Sequence, residues 1–170
     1  GVLSLQMIKH KFQKIFATDI NPNAIVGLAN YIGDSKLSRK IDLFHGSLFS
    51  DIKKKDNELI VFNPPWIPCA QKMDSIDEAI YYTKDLFDNF FGDAGKYLNE
   101  DGKLVILFSN LAILTGQTTT NPIEEELKNH NRFKKELLLT KKVKKASKNS
   151  NREQSWRDEE YVELWVLTKV

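Results

Sequence analysis

Asn63-Pro64-Pro65-Trp66 follows the apolar run Leu59-Ile60-Val61-Phe62, and these residue types at this spacing suit the capture of an amino group. A residue that precedes proline is pushed out of the helical region, so Asn63 and Pro64 are both held extended. Each proline fixes φ and lacks an N–H, so the bend offers carbonyl oxygens without competing donors. Those carbonyls and the Asn63 side-chain oxygen can accept both hydrogens of a planar NH2 group. Trp66 can stack on the flat system that carries the amine. The chemistry is the presentation of a nitrogen nucleophile. Pro-Pro-Trp also occurs in ordinary turns, so its meaning depends on the rest of the chain.

A second acceptor stands at Asp19. Residues 14–18 read as a short strand ending at Asp19, and Asn21-Pro22 opens the next helix. In nucleotide-binding α/β folds an acidic residue here accepts hydrogen bonds from ribose hydroxyls, about 20 residues past a glycine turn. Gly1 lies at that distance. Helix capping is the other reading of Asp19. Its register with the Asn63 bend favours the ribose role, because ligand crevices in such folds lie at strand C-termini. His45 reads as a strand-end residue, since no second His, Cys or carboxylate accompanies it at metal-site spacing. Cys69 follows the bend and could line a substrate mouth, with little support for a nucleophilic role.

The elements that position these residues alternate. Helices are expected over residues 2–11 (burying Leu3, Leu5 and Ile8), 23–31, 75–98 and 122–131, and strands over 14–18, 41–44, 58–62, 103–109, 134–145 and 161–169. The helix over 75–98 is the longest, with Asp77-Glu78 in its first turn. Its stripe Ile76, Ile80, Phe87, Phe90, Ala94 and Tyr97 reads as core rather than as a ligand box. Gly102 turns the chain into the apolar strand at 103–109, of the buried parallel kind. A polar loop over 147–158 joins the last two strands as an antiparallel pair. This order predicts a three-layer α/β sandwich with a mostly parallel sheet, folded as one domain over residues 1–170.

Composition narrows the class. With 41% hydrophobic and 28% charged residues, neither disorder nor a membrane protein is indicated, and no apolar stretch approaches a bilayer span. No signal peptide is visible at Gly1. Cys69 is the single cysteine, which excludes internal disulfides and fits a reducing, cytoplasmic setting. The net charge of +2 conceals a basic run: Lys134, Lys135, Lys141, Lys142, Lys144, Lys145 and Lys148 against Glu136. It suits a phosphate backbone or a solvated edge strand, and the two readings stand level. Trp156 suits a packing anchor slightly better than a substrate-stacking face.

Taken together, these motifs resemble the class I S-adenosylmethionine-dependent methyltransferases over essentially the whole chain. The specific likeness is to the subgroup with an (Asn/Asp/Ser)-Pro-Pro-(Tyr/Phe/Trp) motif, which methylates exocyclic or amide nitrogens. That subgroup includes small-domain ribosomal RNA amino-methylases and release-factor glutamine methyltransferases. The resemblance implies a Rossmann-like fold, S-adenosyl-L-methionine as cofactor and no metal. It casts Asn63, Pro64, Pro65 and Trp66 as catalytic, and Gly1, Asp19, Ile20, Ser47, Leu48 and Asn63 as cofactor-binding. Ser47 stands where the family writes an aspartate to the adenine amino group, and a hydroxyl makes that bond without charge assistance. The family also begins with a central strand and a glycine-rich turn, of which only Gly1 corresponds here. Without that strand, those ending at Asp19 and Asn63 would each keep an unpaired edge. The expectation is therefore a chain incomplete at its N-terminus, or a further segment or partner that completes the sheet. The implied reaction is methyl transfer to an exocyclic amine, an RNA base first. A protein glutamine is the enzyme alternative, and a cofactor-dead scaffold that binds RNA or a partner is the non-enzyme one.

Overall fold

Asn21-Pro22 and Asn121-Pro122 start helices by the same device. In each pair the asparagine Oδ1 accepts the N–H two residues on at 2.9 Å, and the proline occupies the first turn, where no N–H is needed. The computed structural model describes residues 1–33, 35–53, 55–69, 80–144 and 158–170. They fall into two units, Gly1–Lys53 and Lys54–Val170. Among the described residues no helix is long and apolar enough to cross a membrane.

The first unit contains α1 (Val2–Lys9), β1 (Ile15–Asp19), α2 (Pro22–Ile32) and β2 (Ile41–His45). β1 and β2 pair in parallel, from Ile15 opposite Ile41 to Asp19 opposite His45. Ile15, Leu28, Ile32 and Ile41 form the core, with Leu5, Met7, Ile8 and Phe12 packed against it. The expected helix over 2–11 stops two residues early. Lys11 takes a φ of 69°, and the Phe12 N–H turns back to the Met7 carbonyl. No residue of α1 is fully buried: Leu5 and Ile8 are half-buried and Leu3 is exposed, contrary to expectation.

The second unit contains β3 (Asn57–Phe62), β4 (Ile67–Pro68), β5 (Tyr81–Tyr82), α3 (Leu86–Tyr97), β6 (Leu98–Ser109), α4 (Leu111–Leu114), α5 (Pro122–Asn129), β7 (Phe133–Lys142) and β8 (Tyr161–Lys169). Its main sheet has the order β3-β6-β8-β7, with β3 and β6 parallel and the β6–β8 and β7–β8 pairs antiparallel. Alternation puts Leu104, Ile106, Phe108, Trp165 and Leu167 on one face, all buried. Phe87, Phe90, Phe91 and Ala94 of α3 are buried too: Phe90 stacks on Phe62 at 4.0 Å and Phe87 meets Phe108 edge-on at 5.5 Å. Among the described strands, β1 pairs only with β2 and β3 only with β6, so each keeps one edge without a strand partner.

Several expected boundaries move. The helix assigned to 75–98 starts at Leu86. Residues 75–79, with Ile76, Asp77 and Glu78, lie outside the described residues. Tyr81–Tyr82 pairs with β4 instead: the Ile80 carbonyl accepts the Ile67 N–H at 3.2 Å, and the Tyr82 carbonyl accepts the Cys69 N–H at 2.8 Å. Ile80 is consequently 45% exposed rather than core. Gly102 lies inside β6 rather than in a turn. A Cβ there would stand 2.8 Å from the Asn57 carbonyl, at the irregularity where β6 passes β3. The helix expected over 122–131 ends at Asn129, and Asn131 takes a φ of 53°. β8 occupies 161–169 as expected, and β7 covers 133–142. Lys145, Lys148 and Trp156 lie outside the described residues.

A buried ion pair ties the end of α5 to α3. The Glu126 side chain is 2% exposed and receives Arg132 Nε and Nη2 at 2.8 and 2.5 Å, while Nη2 also reaches Asp88 at 2.8 Å. Those bonds hold the guanidinium firmly charged, and the Asp88 carboxyl is lowered by the same hydrogen bond. Arg132→Met should destabilise the fold by about 3 kcal/mol in urea unfolding, because it leaves Glu126 buried and unpaired. Tyr82 gives a separate, pH-dependent signature. Burial first, and Glu125 second, push its phenol up to about 12 from 10. A raised folded value means that its contribution is complete below pH 10 and lost as pH rises through about 12. Tyr82→Phe should therefore flatten the stability decline over that window relative to the parent and leave stability near pH 8 almost unchanged.

Candidate active site

The expected site residues fall into two sets, one in each unit. In the first unit Asp19 and His45 end paired strands. Asp19 is exposed and its Oδ1 accepts the Asn21 N–H at 2.9 Å. The helix cap is Asn21, not Asp19, so the carboxylate supports the turn and keeps its second oxygen available. The strand tips are cross-tied: Gly46 N–H donates to the Asp19 carbonyl at 3.1 Å, and Thr18 Oγ1 donates to the Gly46 carbonyl at 3.3 Å. The His45 ring adds a bond from Nε2 to the Ile20 carbonyl at 3.1 Å. His45 is thus a strand-end residue with a structural task that spacing alone did not disclose. A Cβ at Gly46 would stand 2.5 Å from Asp51 Oδ2 and 2.6 Å from Ser50 Oγ, so both exposed side chains would have to turn aside.

Ser47 is exposed immediately beyond this tie, and Leu48 takes a φ of 50°, a conformation that costs a bulky residue on the order of 1–2 kcal/mol. Asp19, Ile20, Ser47 and Leu48 therefore lie on two linked loops at one end of the β1–β2 pair. This is an arrangement in which a carboxylate and a hydroxyl face solvent and could receive ribose and base groups. Gly1 caps α1 and packs on Leu28, a residue of the core, so its place is beside α2.

In the second unit the Asn63 bend opens into a cleft of about 280 Å³, lined by Asn63, Pro64, Pro65, Trp66, Ile67, Ile80 and Leu111. Asn63 is exposed at its mouth and Pro64 is buried beneath. Trp66 is half-buried, and its Nε1 donates to the Leu107 carbonyl at 3.3 Å, which ties the indole to β6. Among the described residues of this lining Asn63 is the one side chain with an acceptor oxygen, so a flat group carrying an NH2 would meet mostly apolar and aromatic walls there. Ile67, Ile80 and Leu111 were not anticipated. Ile80 continues a helical stripe in the sequence, and Leu111 follows a strand with no motif to mark it. Cys69 lies just past β4 and outside this lining. A second cleft of about 340 Å³ between α3 and α5 contains Arg132, Glu126 and Asp88, which bond one another, and none of the expected site residues. Among the described residues no group of three or more His, Cys, Asp and Glu side chains could hold a metal ion.

The methyltransferase small domain family matches residues 1–137. A bifunctional methyltransferase of Rickettsia bellii is 30% identical over 139 residues, covering 70% of this chain and 25% of that protein. The chain thus spans a quarter of the length of that relative. Among solved structures, a ribosomal protein L11 methylase from Lactobacillus delbrueckii superposes with a TM-score of 0.59 at 18% identity, over 100% of this chain and 65% of that one. A Bacillus subtilis tRNA methyltransferase does so with a TM-score of 0.56 at 13% identity, over 98% and 54%. These likenesses place the fold as Rossmann-like, of the methyltransferase type. Trp66→Phe keeps an aromatic face and removes the bond to Leu107. Urea unfolding should show a loss of about 1 kcal/mol.

Proposed function

This chain belongs to the methyltransferase small domain family, and on that footing we propose that it transfers a methyl group from S-adenosylmethionine to an exocyclic amino nitrogen, with an RNA base as acceptor. The observation that carries this reading is the Asn63 bend. A donor-poor loop holds an exposed Asn63 beside a tethered Trp66, at the mouth of a cleft large enough for a flat heterocycle. The RNA preference is supported by the tRNA methyltransferase with which the fold superposes. It is supported as well by exposed Lys134, Lys141, Lys142 and Lys144 on and just past β7. A protein glutamine is the second reading, favoured by the absence of charged side chains among the described residues of the cleft lining, which suits a neutral primary amide equally.

Asp19, Ser47 and the backbone at Ile20 and Leu48 are the groups in the first unit that would hold the nucleoside part of the cofactor. Bound there, S-adenosylmethionine supplies an electrophilic methyl on a sulfonium. Asn63 Oδ1 and the Pro64 carbonyl would accept the two amino hydrogens and turn the nitrogen lone pair out of conjugation. As positive charge builds on that nitrogen, both acceptors bind it more tightly than they bind the ground state. Trp66 would hold the plane of the acceptor, so that most of the rate gain comes from orientation. A paired base must be flipped or already single-stranded to enter.

Asn63→Ala should lower methyl transfer to RNA by about 10²–10³-fold, the range for removing one pre-oriented polar group. S-adenosylhomocysteine binding, followed by calorimetry, should stay within about twofold of the parent. Equal turnover in variant and parent would remove Asn63 from the reaction. Methyl labelling of a glutamine-containing peptide with no labelling of RNA would select the second reading.

A further inference from the structure

The end of β6 carries a buried hydrogen-bond chain that runs to the wall of the cleft. Ser109 is 1% exposed, and its Oγ accepts the Leu111 N–H at 3.1 Å while donating to Glu160 Oε1 at 3.5 Å. Glu160 is 5% exposed, and among the described residues the Ser109 hydroxyl is its carboxylate's donor. Asn110 fastens the same place: its Oδ1 accepts the Tyr161 N–H at 3.0 Å, and its Nδ2 donates to the Glu159 carbonyl at 3.2 Å. Since Ser109 stands opposite Val162, this clasp brings residues 159–161 alongside the start of α4.

Among the described residues Glu160 has no cationic partner, and a carboxylate so withdrawn from water is costly, so its retention calls for a task. The chain of bonds suggests one. A hydroxyl that donates to a carboxylate becomes a stronger acceptor, so Glu160 tightens the hold of Ser109 on the Leu111 N–H. That N–H opens α4 and has no partner within the helix. Leu111 in turn lines the cleft that holds Asn63 and Trp66. We propose that Leu111 is an acceptor-contacting residue of this cleft, and that Ser109 and Glu160 are positioning residues that set where it stands. The inference rests on the reading of the cleft as the amine-acceptor site. Apolar contact decays within a fraction of an ångström, so a displaced Leu111 would weaken acceptor binding. It would leave cofactor binding and turnover of bound acceptor largely untouched.

A double-mutant cycle tests this. Parent, Leu111→Ala, Ser109→Ala, Glu160→Gln and the two doubles with Leu111→Ala are assayed for tritiated methyl transfer from S-adenosylmethionine. The acceptors are a mixed-sequence single-stranded RNA and a glutamine-containing peptide. On the acceptor that the parent methylates, Leu111→Ala should raise KM about tenfold, with kcat within about twofold. Ser109→Ala and Glu160→Gln should each raise KM about threefold to fivefold alone, yet by less than about 1.5-fold in the Leu111→Ala background. S-adenosylhomocysteine affinity should not change. Glu160→Gln keeps side-chain shape and an acceptor oxygen, so it reads the charge even where Ser109→Ala compromises folding. KM effects that multiply independently, or a fall in kcat at constant KM, overturn the inference and leave the amine-acceptor reading intact. A parent that methylates neither acceptor defeats that reading, and the inference falls with it.

Discussion

Every part of the second unit depends on β6 being hydrogen-bonded along both edges. β3 runs parallel to it on one side and β8 antiparallel on the other, so its backbone polar groups are satisfied without water. That permits Leu104 and Ile106 to be sealed completely and gives α3 an aromatic floor. The same strand then ends by holding three features of the cleft. The Leu107 carbonyl takes the Trp66 indole, Ser109 takes the Leu111 N–H, and Asn110 clasps the entry to β8. A loop rich in proline cannot fix itself through its own N–H groups, so it is anchored by a neighbour whose hydrogen bonding is already complete.

Buried carboxylates recur around this sheet, each with its own donors. Glu126 has the Arg132 guanidinium, and Glu163 Oε2 accepts from Trp165 Nε1 at 2.8 Å and from Asn121 Nδ2 at 2.9 Å. Asn121 thus caps α5 with its oxygen and binds Glu163 with its nitrogen, joining helix start to sheet. Glu160 differs from both in having, among the described residues, a single hydroxyl donor at 3.5 Å, where Glu126 has a guanidinium and Glu163 two N–H donors. That difference separates carboxylates that hold elements together from one that acts at the edge of a site.

Much of this is legible in the amino-acid sequence. Strand β8 keeps its expected bounds because 161–169 is rich in β-branched and aromatic residues, while pairing with β6 sets the register that buries Trp165 and Leu167. The Asn-Pro starts of α2 and α5 follow from side-chain capping, which is local. Other features were hidden because they are decided at long range. Ile80 continues a helical stripe in sequence, yet the edge of β4 captures Tyr81–Tyr82, whose aromatic side chains suit strand geometry. Gly102 looks like a turn, yet β6 needs it where the Asn57 carbonyl approaches closely.

Residue type alone determined the chemistry on offer: an amide oxygen on a stiff, donor-poor bend, an aromatic plate after it, and a carboxylate at the tip of an earlier strand. Those properties are local, set by proline sterics and strand-end position, so they survive in one dimension. Tertiary structure decided what surrounds them. It chose Asn21 over Asp19 as the helix cap, enlisted His45 to tie two strand tips, and made Ile80 and Leu111 walls of a cleft. Each of those outcomes depends on hydrogen bonds or apolar contacts between residues distant in the chain, and no local pattern encodes which partner will arrive.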